Sequence, residues 1–537
     1  MKRIMKKFLK LTVLLTIIFA APGCKKSYLD INENTNSATS SSPELVLPAT
    51  LNNTASNFIT YFNYGAWMAG YQANAGGYSF SGSTFFTYNW NSGTNNGLFN
   101  SAFSDLRSYQ YIITSTSGVS KYVLFNAVAR VMKSYYYQIL VDEYGNVPYT
   151  EGLAGVDNLT PHYDDAATIY KSLVTEIDAA IAQLKANGSS TVVKALGSAD
   201  VMFGGDVTKW IQFANNIKLR ILTRAQDGPL ASFSATAFGT FSSEGFLTSD
   251  VLIDPGYVST SARQNPLWNT YHSTYTGSNG AYAAQQIPTK WIFSFYNGTK
   301  LSDATRGALI YKNYAANTTP TNQLGNESNV PSWISGYPAW YIGTGTALSA
   351  PAAQGIIKSR VMGQLIMPAA ETYFLLAEAA LKGHTLSGDA ATNFDNGIRA
   401  SYNYLQKSGA TTTSATSAVL DAYLTAYKAA NSGSYLVNYS LATTAAQRLE
   451  AIITQKYIAL NFVNGFEAWQ EYKRTGYPAI SGTAATTTFV SLQSSATAAD
   501  RLPVRNLYPT TEYNLNPNVP TGLNAYTSKI FWDVNTN

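Results

Sequence analysis

Apolar side chains recur every three or four residues in segments spread along this 537-residue chain, which is the spacing of one helix face. Segment 164–185 opens with acids, and segment 206–224 has an acid at its front and Arg at its back, as the helix dipole favours. The other predicted helices cover 121–142, 369–383, 390–405, 445–462 and 465–474. Because short turns separate many of these helices into pairs, the pattern predicts helical hairpins of the tetratricopeptide kind.

Three long stretches lack helical periodicity: 60–100, 226–365 and 475–537. They are dense in Gly, Ser, Thr, Asn, Tyr and Trp, and we expect only a few short strands inside them. Loops of this length in a compact domain are usually functional. The sequence therefore predicts a mainly α fold that carries long, aromatic-rich loops.

The N-terminal sequence is typical of an export signal. Its first ten residues carry five basic side chains, and the apolar run from Leu11 to Ala21 is too short to span a bilayer. Cys24, the single cysteine, follows directly, resembles the acylated cysteine of a bacterial lipobox, and cannot form an internal disulfide. We therefore predict a signal peptide at 1–23, a lipidated flexible tether at 24–45 and one domain at 46–537.

The formal charge of +5 belongs to this leader. Five of the 36 basic residues lie in it, so the rest of the chain balances its 31 acids. No basic stripe accompanies the aromatics, which argues against a nucleic-acid partner.

Three segments stand out in order along the chain: the YLDIN start at Tyr28, the YGNVPY motif at Tyr144 and the WIQFANNIKLRILTR segment ending at Arg224. Together they resemble the SusD/RagB family of outer-membrane nutrient-binding lipoproteins, in its SusD-like branch. Further matches are LSDATRGALIY with Asp303 and Arg306, ETYFLLAEAALKG, and the stretch from Ile453 to Pro478.

The resemblance implies tetratricopeptide-like helical hairpins packed as a superhelix, with a long loop-rich ligand face. It also implies a non-enzymatic surface lipoprotein that binds oligosaccharides, or sometimes peptides, and delivers them to a TonB-dependent, SusC-like outer-membrane transporter. The residues after Cys24 are Lys25 and Lys26, where surface-exposed lipoproteins of this kind often carry acids.

Catalytic signals are absent from the sequence. There is no G-x-S-x-G elbow, no H-E-x-x-H and no Walker A loop, and the three histidines are scattered. We expect no cofactor and no metal. A glycoside hydrolase with two carboxylates that meet in space is the less favoured alternative. We interpret Glu371 and Glu378 as polar contacts between helices, and we expect Arg220 and Arg224 to have a structural role.

The composition favours a neutral glycan, because Tyr and Trp offer apolar faces that stack on sugar rings and polar edges that bond hydroxyls. Aromatic residues make up 13% of the chain and charged residues only 12%. The predicted ligand-binding residues are Trp67, Tyr71, Gln72, Asn74, Tyr78 and Trp90 in the densest aromatic run, Trp268 and Tyr271 (with Trp291 nearby) in a second cluster, and Trp333, Trp340 and Tyr341 (with Tyr337) in a third. Alternatively, many of these rings fill the core or the transporter interface.

Overall fold

Several helices begin where the sequence supplies a side chain that caps them. Asp165 accepts a hydrogen bond from the Thr168 amide, and Asp206 accepts one from the Lys209 amide. Thr444 starts a later helix with a reciprocal capping box. Each cap satisfies an amide that the first helical turn leaves without a partner. These side chains place the helix starts within two residues of the predicted positions.

The computed structural model describes residues 41–75, 84–283, 286–328, 354–407, 414–496 and 502–535. Before residue 300 its helices are α1 (Pro43–Met68), α2 (Thr84–Thr87), α3 (Asn96–Ser115), α4 (Val123–Tyr144), α5 (Ala166–Asn187), α6 (Val207–Ala225), α7 (Ala231–Ala237), α8 (Pro266–Tyr271) and α9 (Lys290–Phe293). After it they are α10 (Ala304–Ile310), α11 (Ala369–Leu381), α12 (Ala390–Gln406), α13 (Ser417–Ala430), α14 (Ala445–Leu460), α15 (Gly465–Thr475) and α16 (Thr510–Leu515). The strands are β1 (Gln72–Asn74), β2 (Val251–Ile253), β3 (Gln286–Pro288) and β4 (Gln364–Met367), in two antiparallel pairs, β1 with β3 and β2 with β4.

Consecutive helices pack as antiparallel hairpins, as the sequence predicts. In the unit Pro43–Asn537, α3, α4, α5 and α6 each pack on the next, and α11, α12 and α13 form a second series. Helix α1 packs on α3 and α15, with Gly65 facing Gly465. A Cβ on Gly65 would lie 2.1 Å from the Phe466 amide nitrogen, so the two helix backbones touch at a point where no side chain fits.

A network of buried charged side chains joins these helices. Arg224 of α6 pairs with Asp142 of α4 and, at 2.5 Å, with Glu467 of α15. Arg474 of α15 forms two 2.7 Å hydrogen bonds with Glu378 of α11. Burial raises the pKa of the Asp142 carboxyl to about 6 in spite of the adjacent Arg224 guanidinium. Buried ions need such partners, because an unpaired charge inside a protein is costly.

The same network explains the motif residues at the helix contacts. Arg220 lies 2.6 Å from Glu371, and both are almost fully buried. The carboxylates of Glu371 and Glu378 each join α11 to another helix, as the sequence suggested, and neither is open to solvent.

The predicted loop at 60–100 was wrong at both ends. Helix α1 continues to Met68, and α3 begins at Asn96. Leu47, Leu51 and Ala55 lie four residues apart on its buried face, but the Tyr, Asn and Thr residues around them hide that period. Helices α3 and α13 were not predicted from the sequence, nor were the short helices within 226–365 and 475–537. None of the described helices has the length and apolar character needed to cross a bilayer.

Candidate functional site

Two aromatic stretches that lie far apart in the sequence meet at one β-ribbon. Asn74 of β1 pairs with Gln286 of β3, and Gln72 pairs with Pro288. Trp291 follows directly in α9, while the hydroxyl of Tyr271 donates to Asn63 of α1 at 2.7 Å. Residues of the first and second predicted clusters therefore lie around the same ribbon, which sequence spacing alone does not reveal.

The candidate residues within the described part of the chain are buried. Their side chains are 0–6% exposed: Trp67, Tyr71, Gln72, Asn74, Trp90, Trp268, Tyr271 and Trp291. Trp67 stacks on Phe85 with 5.8 Å between ring centres, and Trp268 stacks on His272 at 3.9 Å. We call these eight buried residues the floor, and ligand contact by any of them stays a prediction.

Hydrogen bonds fix this floor. Tyr71 donates to the Tyr457 carbonyl at 2.6 Å, and the Trp291 indole N–H bonds the Tyr457 hydroxyl at 3.0 Å. Burial raises the pKa of Tyr71 and Tyr457 well above the usual range, so both phenols stay protonated. Burial also lowers the pKa of His272 to about 4, which keeps its ring neutral at physiological pH.

Asn74 is the last residue of strand β1. Its side-chain amide donates to the Asn326 carbonyl at 3.5 Å, and its Oδ1 is buried with no partner among the described residues. The remaining candidates, Tyr78, Trp333, Trp340 and Tyr341, together with Tyr337 and the anchor Cys24, lie outside the described residues.

An open cavity of about 300 Å³ lies near this floor. Gln323, Thr483, Ser491 and Ser494 give it hydroxyl and amide groups, while Val490 and Leu492 give it an apolar side. Leu324, next to Gln323, packs against Trp67 and Phe86. No charged side chain lines this cavity among the described residues, and polar groups on a partly apolar wall are typical of small-ligand sites. The cavity could not be predicted from the sequence, because Thr and Ser residues that line a cavity look the same in a sequence as those of any other loop.

Among the described residues that line the cavity, none is an Asp, Glu or His that could serve as a general acid or base. Within the described ranges, no three His, Cys, Asp or Glu side chains cluster closely enough to hold a metal ion. Arginine or lysine pairs with many of the most deeply buried carboxylates: Glu371, Asp142, Glu143 and Glu378. The site therefore offers neutral hydrogen-bonding groups, with no acid–base pair identified.

The helical-hairpin scaffold and its neutral, loop-borne site define a class of ligand-binding proteins. Residues 33–248 match the family described as "Starch-binding associating with outer membrane", and residues 347–533 match "Susd and RagB outer membrane lipoprotein". The chain belongs to the SusD/RagB family of outer-membrane lipoproteins.

Solved structures share this fold. A chitin-binding protein is 24% identical, with a TM-score of 0.64, and the match covers 92% of this chain and 100% of the other. A chitin-binding SusD homolog from Flavobacterium johnsoniae is 21% identical, with a TM-score of 0.64 and coverage of 91% and 98%. A SusD-like protein from Bacteroides thetaiotaomicron is 23% identical, with a TM-score of 0.64 and coverage of 91% and 99%. No curated protein matches this chain.

Proposed function

We propose that this protein binds oligosaccharides at its loop-rich face and delivers them, without cleaving them, to a TonB-dependent outer-membrane transporter. The observation that carries the proposal is the uncharged cavity beside the aromatic floor, lined by hydroxyl, amide and apolar groups. Sugars present the matching surface, with hydroxyls at the edge and apolar C–H groups on the ring faces. The two chitin-binding relatives support a glycan over a peptide.

Membrane attachment is part of the same proposal. Cys24 follows the apolar leader run after Pro22 and Gly23, and membership of an outer-membrane lipoprotein family supports a lipid anchor there. We place the acyl chains on Cys24 and the ligand-binding unit at the cell surface, where a polar tether lets it reach the transporter. The transporter partner and the surface location follow from the family resemblance.

Calorimetric titration of the purified protein with neutral oligosaccharides tests the binding. Leu492 is 53% exposed at the cavity and offers its methyl groups to a sugar face. Because Leu492→Ala removes part of that apolar contact, we expect affinity to fall by about fivefold. Leu515→Ala is the matched control, since Leu515 is 74% exposed and lies outside this cavity.

Three results would contradict the proposal. One is the absence of binding to every neutral oligosaccharide tested. Another is peptide binding without glycan binding, which would select the peptide alternative. The third is release of shorter sugars from a bound oligosaccharide, detected by chromatography, which would make the protein an enzyme.

A further inference from the structure

A second groove, of about 500 Å³, lies between α1 and the segment around α8. Its polar lining includes Thr60, Asn63, Gln264, Asn269 and Thr270, and Tyr282 supplies a half-buried ring. None of the described residues that line the groove is charged, so its described lining suits a neutral ligand better than a phosphate, a carboxylate or a cation. It contains none of the residues that the sequence nominated as ligand contacts.

Asn63 is oriented by the buried floor beneath the groove. Its Oδ1 accepts hydrogen bonds from the Tyr271 hydroxyl at 2.7 Å and from the Gln286 amide at 3.2 Å. These two bonds engage the oxygen and fix the amide plane, while no described residue accepts a hydrogen bond from the Nδ2 group. Asn63 therefore presents an oriented donor at the groove.

Gln264 contributes the complementary acceptor. Its Nε2 donates to Asn269 at 3.3 Å and to the Ser273 carbonyl at 3.2 Å, which fixes the amide plane. Its Oε1 is buried and has no partner within the described part of the chain, although the side chain is only 6% exposed. A buried acceptor without a partner is rare and costly, so a ligand hydroxyl that reached Oε1 would supply the missing hydrogen bond.

Tyr282 is pre-positioned as an aromatic wall. Its backbone amide donates to the Thr270 carbonyl at 3.0 Å, and the Gly280 amide donates to the His272 carbonyl at 3.0 Å. Gly280 passes so close to α8 that a Cβ there would lie 2.5 Å from the Thr270 carbonyl oxygen. The Tyr282 ring packs against Tyr271 at 5.6 Å. A ring held this way loses little entropy when a ligand packs on it.

We propose that this groove is a second binding site for a neutral, polyhydroxylated ligand of the sugar class. In it Asn63 donates, Gln264 accepts and Tyr282 packs against the ring face. The inference rests on the proposed function for its ligand class, but it uses residues separate from the cavity at Leu492. Two such sites would let one chain hold a longer oligosaccharide, or two shorter ones.

The test titrates the full chain with hexasaccharides of neutral sugars and compares two groove variants. Tyr282→Ala removes the wall, and we expect about a tenfold loss of affinity. Gln264→Met removes the acceptor at similar volume, and we expect a several-fold loss. Tyr275→Ala is the matched control, because Tyr275 is 49% exposed in a neighbouring loop and does not line the groove. Circular dichroism and the melting temperature verify that each variant is folded.

The outcomes separate the two proposals. If Leu492→Ala weakens binding while Tyr282→Ala and Gln264→Met bind like the wild type, the groove inference is wrong and the proposed function stands. If the groove variants weaken binding and Tyr275→Ala does not, the groove inference is supported. If the wild type binds only peptides, or nothing, the proposed function fails and the sugar site fails with it.

Discussion

Removing Arg474 tests whether the buried charge network holds the helical hairpins together. Arg474 forms two 2.7 Å hydrogen bonds with Glu378 of α11 and a 2.5 Å bond with Glu471 in its own helix. All three side chains are at most 4% exposed. Arg474→Met keeps much of the side-chain volume but removes the charge, which leaves Glu378 buried with only the Gln226 amide as a donor.

The expected cost follows from that burial. Removing one partner of a buried ion pair lowers the free energy of unfolding by about 3–5 kcal/mol, because the remaining charge has neither water nor a counter-ion. The double variant Arg474→Met with Glu378→Leu removes both charges, while Glu471 keeps Lys456 and Arg224, each at 3.2 Å. We therefore expect the double variant to be less destabilised than the sum of the two single variants.

Urea unfolding followed by circular dichroism at pH 7 measures the free energy of unfolding of each variant. It therefore gives both the cost of Arg474→Met and the departure of the double variant from additivity. A dependence on pH gives a second readout, because Arg474, Lys456 and Arg224 hold the pKa of Glu471 well below its usual range although burial opposes them. A depressed carboxyl pKa stabilises the fold above the unfolded value of about 4.3 and loses that effect as the pH falls through the folded value. The gap between wild type and Arg474→Met should therefore narrow in acid. A single variant within about 1 kcal/mol of wild type, or strict additivity in the double variant, would refute the reasoning.

Three further predictions concern other parts of the chain. Burial lowers the pKa of Lys358 to about 7, so its charge opposes folding below the unfolded pKa of about 10.4. We therefore expect the stability of the wild type to rise between pH 7 and about 10. Lys358→Met should raise the melting temperature at pH 7 and flatten that rise. Gly65→Ala should destabilise the fold by several kcal/mol in urea unfolding, because its Cβ would meet the Phe466 backbone, whereas Gly239→Ala, with open space around it, should not. Cys24→Ser should move the protein from the membrane fraction to the soluble fraction, and mass spectrometry should show that acyl chains are missing.

Local signals were enough to predict most of the long helices, although α3 and α13 were missed. Segments 164–185 and 206–224 begin with capping acids and keep one apolar face, and the observed helices α5 and α6 follow them within two residues. Tetratricopeptide-like pairing then follows from the short turns between helices. The prediction failed for α1, because Tyr and Asn residues around its apolar stripe gave it the composition of a loop.

The site could be predicted only in part, because its formation depends on non-local pairing. The sequence singled out Trp268 and Tyr271 for their ring chemistry, but composition does not distinguish a buried ring from an exposed one. Both rings are buried: Tyr271 packs against Phe62 of α1 at 5.4 Å, and Trp268 stacks on His272 at 3.9 Å. Asn63, Gln264 and Tyr282 carried no signal at all, since each becomes distinctive only through the partners that the fold brings to it.

The most direct test of the central claim is calorimetric titration of the purified protein with neutral oligosaccharides, followed by chromatography of the ligand after incubation. The account predicts saturable binding and recovery of the oligosaccharide at its original length. Failure to bind any neutral glycan, or recovery of shortened products, would contradict it.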